Sequence, residues 1–138
     1  MPKQPQMIAQ VTALLVAQDV FQDRDERKRT HIIGVFDSIG APKFPVNLSF
    51  KVYCKISGEG THTAVVRIDD SLGDRVVESG PMVVEVTPQK AHELFLGFGA
   101  TFRGPGLYRV MAFLDGIKEL EQPLYVREEV PEKARPSS

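Results

Sequence analysis

FPVNLSFKVYCKIS, residues 44–57, decides the fold class, because apolar and polar side chains alternate along it. One set of alternate positions is apolar throughout: Val46, Leu48, Phe50, Val52, Cys54 and Ile56. The positions between them are mainly polar: Asn47, Ser49, Lys51, Tyr53 and Lys55. A period of two places the two sets on opposite faces of a β-strand, whereas a helix would scatter them around its axis. The stretch therefore predicts a strand with one face against a core.

The same alternation recurs towards the C-terminus. The predicted inward sets are Ala64, Val66 and Ile68; Met82, Val84 and Val86; Leu94, Leu96, Phe98, Ala100 and Phe102; and Tyr108, Val110, Ala112 and Leu114. Glycine-containing turns separate them: SGEG (57–60), DDSLGD (69–74), RGPG (103–106) and Asp115-Gly116. We expect hairpins at 57–60 and at Asp115-Gly116, the strongest short hairpin signal in the chain. Gly73 suits a positive φ, and Pro123 indicates an edge or a bulge.

The N-terminal part is apolar on both faces. Residues 8–21 and HIIGVFDSI (31–39) are continuous apolar runs, which are typical of strands covered on both sides. Alanine, leucine and glutamine in 8–21 also fit a helix. The recurrence of valine and phenylalanine favours a strand there, leading into a mixed-charge hairpin loop, DRDERKR (23–29).

Frequent turn signals and the lack of a convincing amphipathic helix predict an all-β protein. We expect an antiparallel β-sandwich of about eight strands, immunoglobulin-like or similar, with a small β-barrel as the alternative. The predicted organisation is a flexible N-terminus at 1–7, a single sandwich domain at 8–127 and a flexible C-terminal tail at 128–138.

Composition and charge argue against several classes of partner. The 17 basic and 18 acidic residues leave a net charge of -1, so no global field attracts nucleic acid or anionic lipid. No apolar run approaches the roughly 20 residues of a membrane span, and the N-terminal basic region is too short for a signal peptide. Cys54 is the sole cysteine, which suits a reducing compartment. We expect a cytoplasmic protein that binds neither nucleic acid nor membrane.

Three stretches together resemble a known family: HIIGVFDSIGAPKFP, GEGTHTAVVRIDDSLGD and GPGLYRVMAFLDGIKELEQPLYV. The resemblance is to small bacterial β-rich proteins with a domain of unknown function, and it covers residues 8–127. Its most specific part is an I-G-x-F-D-x-I…F-P signature turn, here Gly34, Phe36, Asp37, Ile39, Phe44 and Pro45. The chain departs from this family in its first hairpin, where DRDERKRT replaces a short glycine turn. The resemblance implies a β-rich cytoplasmic bacterial protein and transfers no catalytic residue.

No motif predicts catalysis. Asp37 and Ser38 do not form a G-x-S-x-G elbow, and the histidines at 31, 62 and 92 are scattered along the chain. An acid and a hydroxyl after a strand are typical turn makers that bond their own backbone. Cys54 lies on the apolar side of its strand, which predicts an inert core thiol. We therefore expect no catalytic residues and no enzyme activity.

No motif predicts a metal or a cofactor. Asp69, Asp70 and Asp74 surround Gly73, but their spacing is not that of an EF-hand loop, so a solvated turn is predicted. The histidines lack paired spacing for zinc. GFGATFRGPG (97–106) lacks the Lys-Ser/Thr pair of a phosphate-binding loop, and RDERKR (24–29) has no interleaved aromatic residues for bases.

Apolar residues on outward faces point to protein contacts. By alternation, five such residues lie on the side away from the core: Val65, Val83, Phe95, Met111 and Phe113. Polar residues normally occupy that side, so we expect an interface there, with another protein or with a second copy of the chain.

The predicted function is therefore that of a non-enzymatic protein that self-associates or docks on a larger assembly. One alternative is a small-molecule-binding protein or enzyme with a pocket between the sheets, for which the polar residues to watch are His31, Tyr53, His62, His92 and Arg109. A second alternative is a calcium-dependent binding module.

Overall fold

The computed structural model describes residues 8–25 and 27–129, and within these ranges ten strands and no helix are formed. The strands are β1 (Ala9–Gln22), β2 (Thr30–Val35), β3 (Ser38–Ala41), β4 (Val46–Gly58), β5 (Gly60–Asp69), β6 (Arg75–Glu78), β7 (Met82–Val86), β8 (His92–Phe102), β9 (Gly106–Leu114) and β10 (Ile117–Glu128). The expected N-terminal segment at 1–7 lies outside the described residues. Of the expected tail at 128–138, Glu128 is the last residue of β10, and the part from residue 130 onward lies outside the described residues.

The strands form two sheets. A four-stranded sheet has the order β2-β1-β4-β8, and a six-stranded sheet has the order β3-β10-β9-β5-β6, with β7 also paired to β5. Every pair is antiparallel except β3–β10, which is parallel. Two separate sheets around a shared core confirm the predicted sandwich over the alternative of a closed barrel.

The core between the sheets contains the predicted inward sets. Val52 and Ile56 of β4, Val66 and Ile68 of β5, Val84 of β7, Phe102 of β8, Val110 of β9 and Leu124 of β10 are fully buried. Phe50 stacks on Phe98 with ring centroids 6.1 Å apart, and Phe102 meets Tyr108 edge to face at 4.8 Å. The period of two therefore predicted the inner faces of these strands correctly. The two sheets bury these apolar faces against each other, which removes both faces from water.

The hairpin predicted at Asp115-Gly116 is confirmed. Asp115 and Gly116 have φ of 50° and 82°, the positive pair that a two-residue turn needs to match the twist of its strands. Another predicted turn, at 69–74, joins β5 to β6. There the Asp70 carboxylate accepts from the amides of Leu72 and Asp74 at 2.9 Å each, and Gly73 has φ +89°.

The hairpin predicted at 57–60 is wrong. β4 belongs to the four-stranded sheet and β5 to the six-stranded sheet, so the chain turns a corner between sheets. Gly58 has φ +136°, and a Cβ there would lie 2.3 Å from the carbonyl oxygen of Ile8. The glycine is required by this close approach. A corner between sheets and a hairpin both favour glycine in the turn, so the composition of 57–60 did not distinguish them.

β1 is a strand, as predicted in preference to a helix. It pairs with β4 through residues 9–17 and with β2 through residues 17–22. β2 and β8 lie at opposite edges of the four-stranded sheet, yet the Thr30 hydroxyl donates to Glu93 Oε2 at 2.6 Å. The β1–β2 hairpin therefore bends across the outer face of its own sheet, where Val20 and Ile32 pack with Tyr53.

The prediction that residues 31–39 form a strand covered on both sides is wrong. β2 is an edge strand whose Ile33 and Val35 are 49% and 56% exposed, because the hairpin presents its second face to solvent.

No helix in the described part of the chain is long and apolar enough to cross a membrane.

The signature turn carries the chain from one sheet to the other. The Phe36 amide donates to the Val16 carbonyl at 3.0 Å, and the Tyr125 amide donates to the Asp37 carbonyl at 2.7 Å. The Ser38 hydroxyl accepts from Arg127 Nε at 3.0 Å. We expected the side chains of Asp37 and Ser38 to bond their own backbone, but the Ser38 hydroxyl bonds another strand, and the bond cited for Asp37 is made by its carbonyl. Phe44 packs on the core, as expected.

Candidate functional site

The free edge of β8, called here the open edge, is the longest unpaired strand edge among the described residues. β8 has 11 residues, and all of them pair with β4 without a register shift. No described strand pairs with its other side. The amides and carbonyls on that side form no backbone hydrogen bond with the rest of the described chain. Such an edge is a template for another strand.

The other unpaired edges of the described strands are shorter than that of β8, including the part of β1 before Ala17 that has no ladder pairing with β2, and some are also protected by their composition. β3 and β6 have four residues each, and β7 has five. β2 has six residues. β10 is paired with β3 only from Tyr125 onward, and Pro123 lies in the part without that partner. Short strands and proline are common protections of an edge, whereas β8 contains neither proline nor lysine.

The outer face of β8 combines a projecting ring with a depression. Phe95 is 40% exposed, and Gly97 and Gly99 follow it on the same face, both exposed. A depression of about 350 Å³ lies over these glycines, bordered by Gln18, Ser49 and Lys51. Apart from Gly99 itself and its two chain neighbours, no residue has an atom within 4 Å of the position that a Cβ on Gly99 would take. The strand therefore presents an aromatic group and, four residues on, a space on the same face.

Glu93 attaches the β1–β2 hairpin to the beginning of β8. Its Oε2 accepts from the Tyr53 hydroxyl at 2.5 Å and from the Thr30 hydroxyl at 2.6 Å. Burial, and secondly the bond to Glu93, raises the pKa of Tyr53, so this phenol is neutral and a donor. The carboxylate is thus held by two hydroxyls and serves the structure of the sheet.

His62 and Asp115 connect the corner after β4 to the β9–β10 turn. His62 Nδ1 lies 2.6 Å from Asp115 Oδ2, and Nε2 lies 2.7 Å from the Glu59 carbonyl. The bond to Asp115 is the main cause that raises the pKa of His62, and it lowers the pKa of Asp115 in turn. Both ring nitrogens face acceptors, so the ring is a charged double donor. With both nitrogens occupied it has no free position for a general base.

The five residues predicted as an interface do not form one patch. Phe95 is on the four-stranded sheet, whereas Val65, Val83, Met111 and Phe113 are on the six-stranded sheet. Met111 is buried, contrary to the prediction that it is open. Phe113 is half-buried beneath the Arg67 guanidinium, which lies 4.8 Å from the ring centroid. A long side chain from the neighbouring strand covers Phe113, whereas Val83 is exposed, so the face on which a residue lies did not by itself predict its exposure.

The remaining polar residues named from the sequence do not converge. His31 stacks on Phe21 at 4.9 Å and binds Asp23 at 2.7 Å, His92 begins β8, and Arg109 lies on β9. Arg127, and no histidine, contacts the Ser38 hydroxyl.

The carboxylates of Asp69 and Asp70 are engaged in hydrogen bonds, and the Cys54 thiol is buried. Asp69 binds Arg67, whose Nη2 donates to Oδ2 at 3.2 Å, and Asp70 caps its own turn. No group of three His, Cys, Asp or Glu residues in the described ranges could hold a metal ion. Burial raises the pKa of Cys54 to about 12, which keeps it a thiol.

A family profile matches residues 12–127, and its description is "Family of unknown function (DUF6941)". The chain belongs to this family. The resemblance to a β-rich family with a domain of unknown function is thereby confirmed. No curated protein matches the chain.

Solved structures with a similar arrangement share little sequence with this family member. An immunoglobulin-like protein from Pseudomonas aeruginosa is 16% identical with a TM-score of 0.47, covering 90% of this chain and 100% of its own. The CARDB domain of a Pyrococcus furiosus protein, solved in complex with di-metal ions, is 20% identical with a TM-score of 0.43, covering 85% and 94%.

The sequence identified Phe95 but not the glycines or the free edge of its strand. The available signal was HELFLGFGATF itself, a long alternating strand without lysine or proline. That signal becomes informative only once β8 is known to be an edge, because a central strand can have the same composition.

Proposed function

We propose that the chain is a non-enzymatic bacterial protein that acts through protein–protein contacts, either with itself or on a larger assembly. The observation that carries the proposal is the open edge of β8. An extended segment added to this edge would form main-chain hydrogen bonds along it, while side chains on the two faces select the partner.

The polar clusters support a role without catalysis. His62 has both ring nitrogens on acceptors, and Glu93 is held by two hydroxyls. Each cluster joins segments of the fold that are distant in sequence. In a catalytic site we would expect a titratable group with a free position aimed into a cleft.

A cytoplasmic location is part of the proposal. Cys54 is a buried free thiol, and the sequence contains no second cysteine with which it could form an intrachain disulfide. Such a chain needs no oxidising compartment for its stability.

Site-specific photo-crosslinking in the source cells tests the proposal. A photoreactive residue replaces Thr101, which is exposed on β8, and a matched control replaces Thr63, which is exposed on the outer face of the six-stranded sheet. We expect a discrete protein adduct, homomeric or heteromeric, from position 101 and none from position 63. Absence of any adduct from position 101 would contradict a protein-contact role for β8.

One depression favours a small-molecule-binding protein as the second candidate. It measures about 460 Å³ and lies where the signature turn leaves β2, lined by Gln18, Val35, Phe36, Ile39 and Leu48 among others. That volume is in the range of ligand pockets. A thermal-shift screen with a metabolite library separates the candidates. A ligand that raises Tm in the parent protein, but not in Phe36→Ala, favours this second function.

A further inference from the structure

We propose that the open edge binds the same edge of a second copy, with the two β8 strands antiparallel about a two-fold axis at Gly97. This inference rests on the proposed protein-contact function and names its partner. The pairing joins two four-stranded sheets into one continuous sheet, which is the isologous contact of a closed dimer.

The position of Gly97 sets the register. It lies midway between His92 and Phe102, the two ends of β8. Centring the axis there gives every residue of the strand a partner in the second copy. A shift in either direction leaves residues at both ends unpaired. Full overlap therefore forms the largest number of main-chain hydrogen bonds along the edge.

The outer face is complementary to itself in this register. Phe95 of each copy lies opposite Gly99 of the other, and the Cβ position of Gly99 has no neighbour within 4 Å beyond the adjacent residues of its own chain. Directly opposed residues have Cβ atoms about 5 Å apart, so the ring covers the glycine and its depression. A shift that opposes Phe95 to Gly97 is less favourable, since Lys51 Nζ lies 3.3 Å from that Cβ position.

The inner face is complementary as well. The register opposes Leu96 to Phe98, and Leu94 to Ala100, so that apolar side chains face apolar side chains along the inner face. Leu96 is only partly buried against the core of its own chain. Pairing buries it further and adds to the hydrophobic stabilisation of the dimer.

Charge favours the antiparallel arrangement. Glu93 stands near the beginning of β8, and Arg103 follows its last residue. Antiparallel pairing makes Glu93 of one copy the diagonal neighbour of Arg103 of the other, within reach of long side chains. Parallel pairing would instead bring like residues together, including the two Glu93 carboxylates, which is unfavourable.

Sedimentation velocity of the full chain at micromolar concentration tests the dimer. The parent protein should sediment as two chains. Phe95→Glu should raise the Kd by about a hundredfold or more, because the symmetric contact receives two charges. The matched control is Phe21→Glu, since Phe21 is 43% exposed but lies on the β1–β2 hairpin. This variant should remain dimeric.

Disulfide formation tests the register without depending on the stability of the Phe95 variant. Gly97→Cys places two thiols at the axis, where oxidation should link the two chains, and Cys54 is buried and does not interfere. The control is Ser49→Cys, an exposed position on β4 that should stay unlinked. Cysteines whose Cα atoms are more than about 7 Å apart cannot form this bond.

The results separate this inference from the proposed function. A dimer lost in Phe95→Glu and linked in Gly97→Cys supports the inference. A monomeric parent protein, or a dimer indifferent to Phe95→Glu and unlinked at Gly97→Cys, overturns it. If photo-crosslinking from position 101 then captures a different protein, the protein-contact function survives without the homodimer. If it captures nothing, both are wrong.

Discussion

Tyr53 and Phe95 are neighbours on adjacent strands, but their environments differ. They are directly paired between β4 and β8, with ring centroids 5.9 Å apart. Tyr53 is 6% exposed and Phe95 is 40% exposed. The β1–β2 hairpin covers the first ring and leaves the second partly open. One sheet face therefore has a structural half beneath the hairpin and an accessible half along β8.

The largest expected effect on the free energy of unfolding comes from removing the Tyr53 ring, with removal of the Phe95 ring as the comparison. Tyr53→Ala should lower the free energy of unfolding by about 3 kcal/mol, because it leaves a cavity beneath the hairpin. Phe95→Ala should cost about 1 kcal/mol or less. Urea denaturation of dilute, monomeric protein measures both. Equal losses would show that the hairpin does not distinguish the two positions.

A second prediction extends the comparison to a charged cluster. His62→Gln should cost about 2 kcal/mol at pH 6, since His62 donates two hydrogen bonds, one of them to a carboxylate. The folded pKa of His62 is raised above 6.5, so its contribution is complete below pH 6.5 and is lost as pH rises through the folded value. The folded pKa of Asp115 is lowered below 3.8, so its contribution is present above pH 3.8 and is lost as pH falls through the folded value.

Denaturation of the parent protein and of His62→Gln between pH 5 and 9 measures the difference between their free energies of unfolding. It should shrink towards alkaline pH. Tyr53 provides the contrast, because its pKa is raised from 10.0 and the phenol stays neutral across this range. A constant difference for His62→Gln would mean that the imidazole is not charged in the folded protein.

A smaller effect is expected from removing only the hydroxyl of the covered ring. Tyr53→Phe should cost about 1 kcal/mol, because Glu93 loses one of its two hydroxyl donors and keeps Thr30. A double-mutant cycle with Glu93→Ala, which removes the acceptor, measures the coupling. Additive losses in the cycle would contradict a direct bond between these side chains.

The smallest effect is expected on the other sheet. Val83 is 73% exposed on the six-stranded sheet, and it was among the residues predicted to form an interface. Val83→Lys should change the unfolding free energy by less than about 0.5 kcal/mol and the Kd of self-association by less than about twofold. Denaturation and sedimentation measure these values. A large loss of association would place the contact on the six-stranded sheet instead of β8.

Part of the candidate site was readable in the sequence. Alternation placed Phe95 on an outward face, and its partial exposure agrees with that prediction. The same rule treated Met111 as open, although it is buried, because the rule carries no information about covering side chains. From the sequence, Gly97 and Gly99 were considered only as part of a stretch that does not fit a phosphate-binding loop. Their position beside Phe95 becomes significant only when β8 is known to be an unpaired edge.

The sequence by itself determined where most of the strands lie, which face each of β4, β5, β7 and β8 turns to the core, and the Asp115-Gly116 hairpin. These features depend on neighbours within a few residues, through the period of two and the φ values that a turn requires. Only the tertiary structure decided that 57–60 is a corner, that the hairpin covers Tyr53, and that β8 ends its sheet. Contacts between segments distant in sequence decide which strands pair. A glycine turn has the same local form whether the next strand pairs with the preceding one or passes to the other sheet.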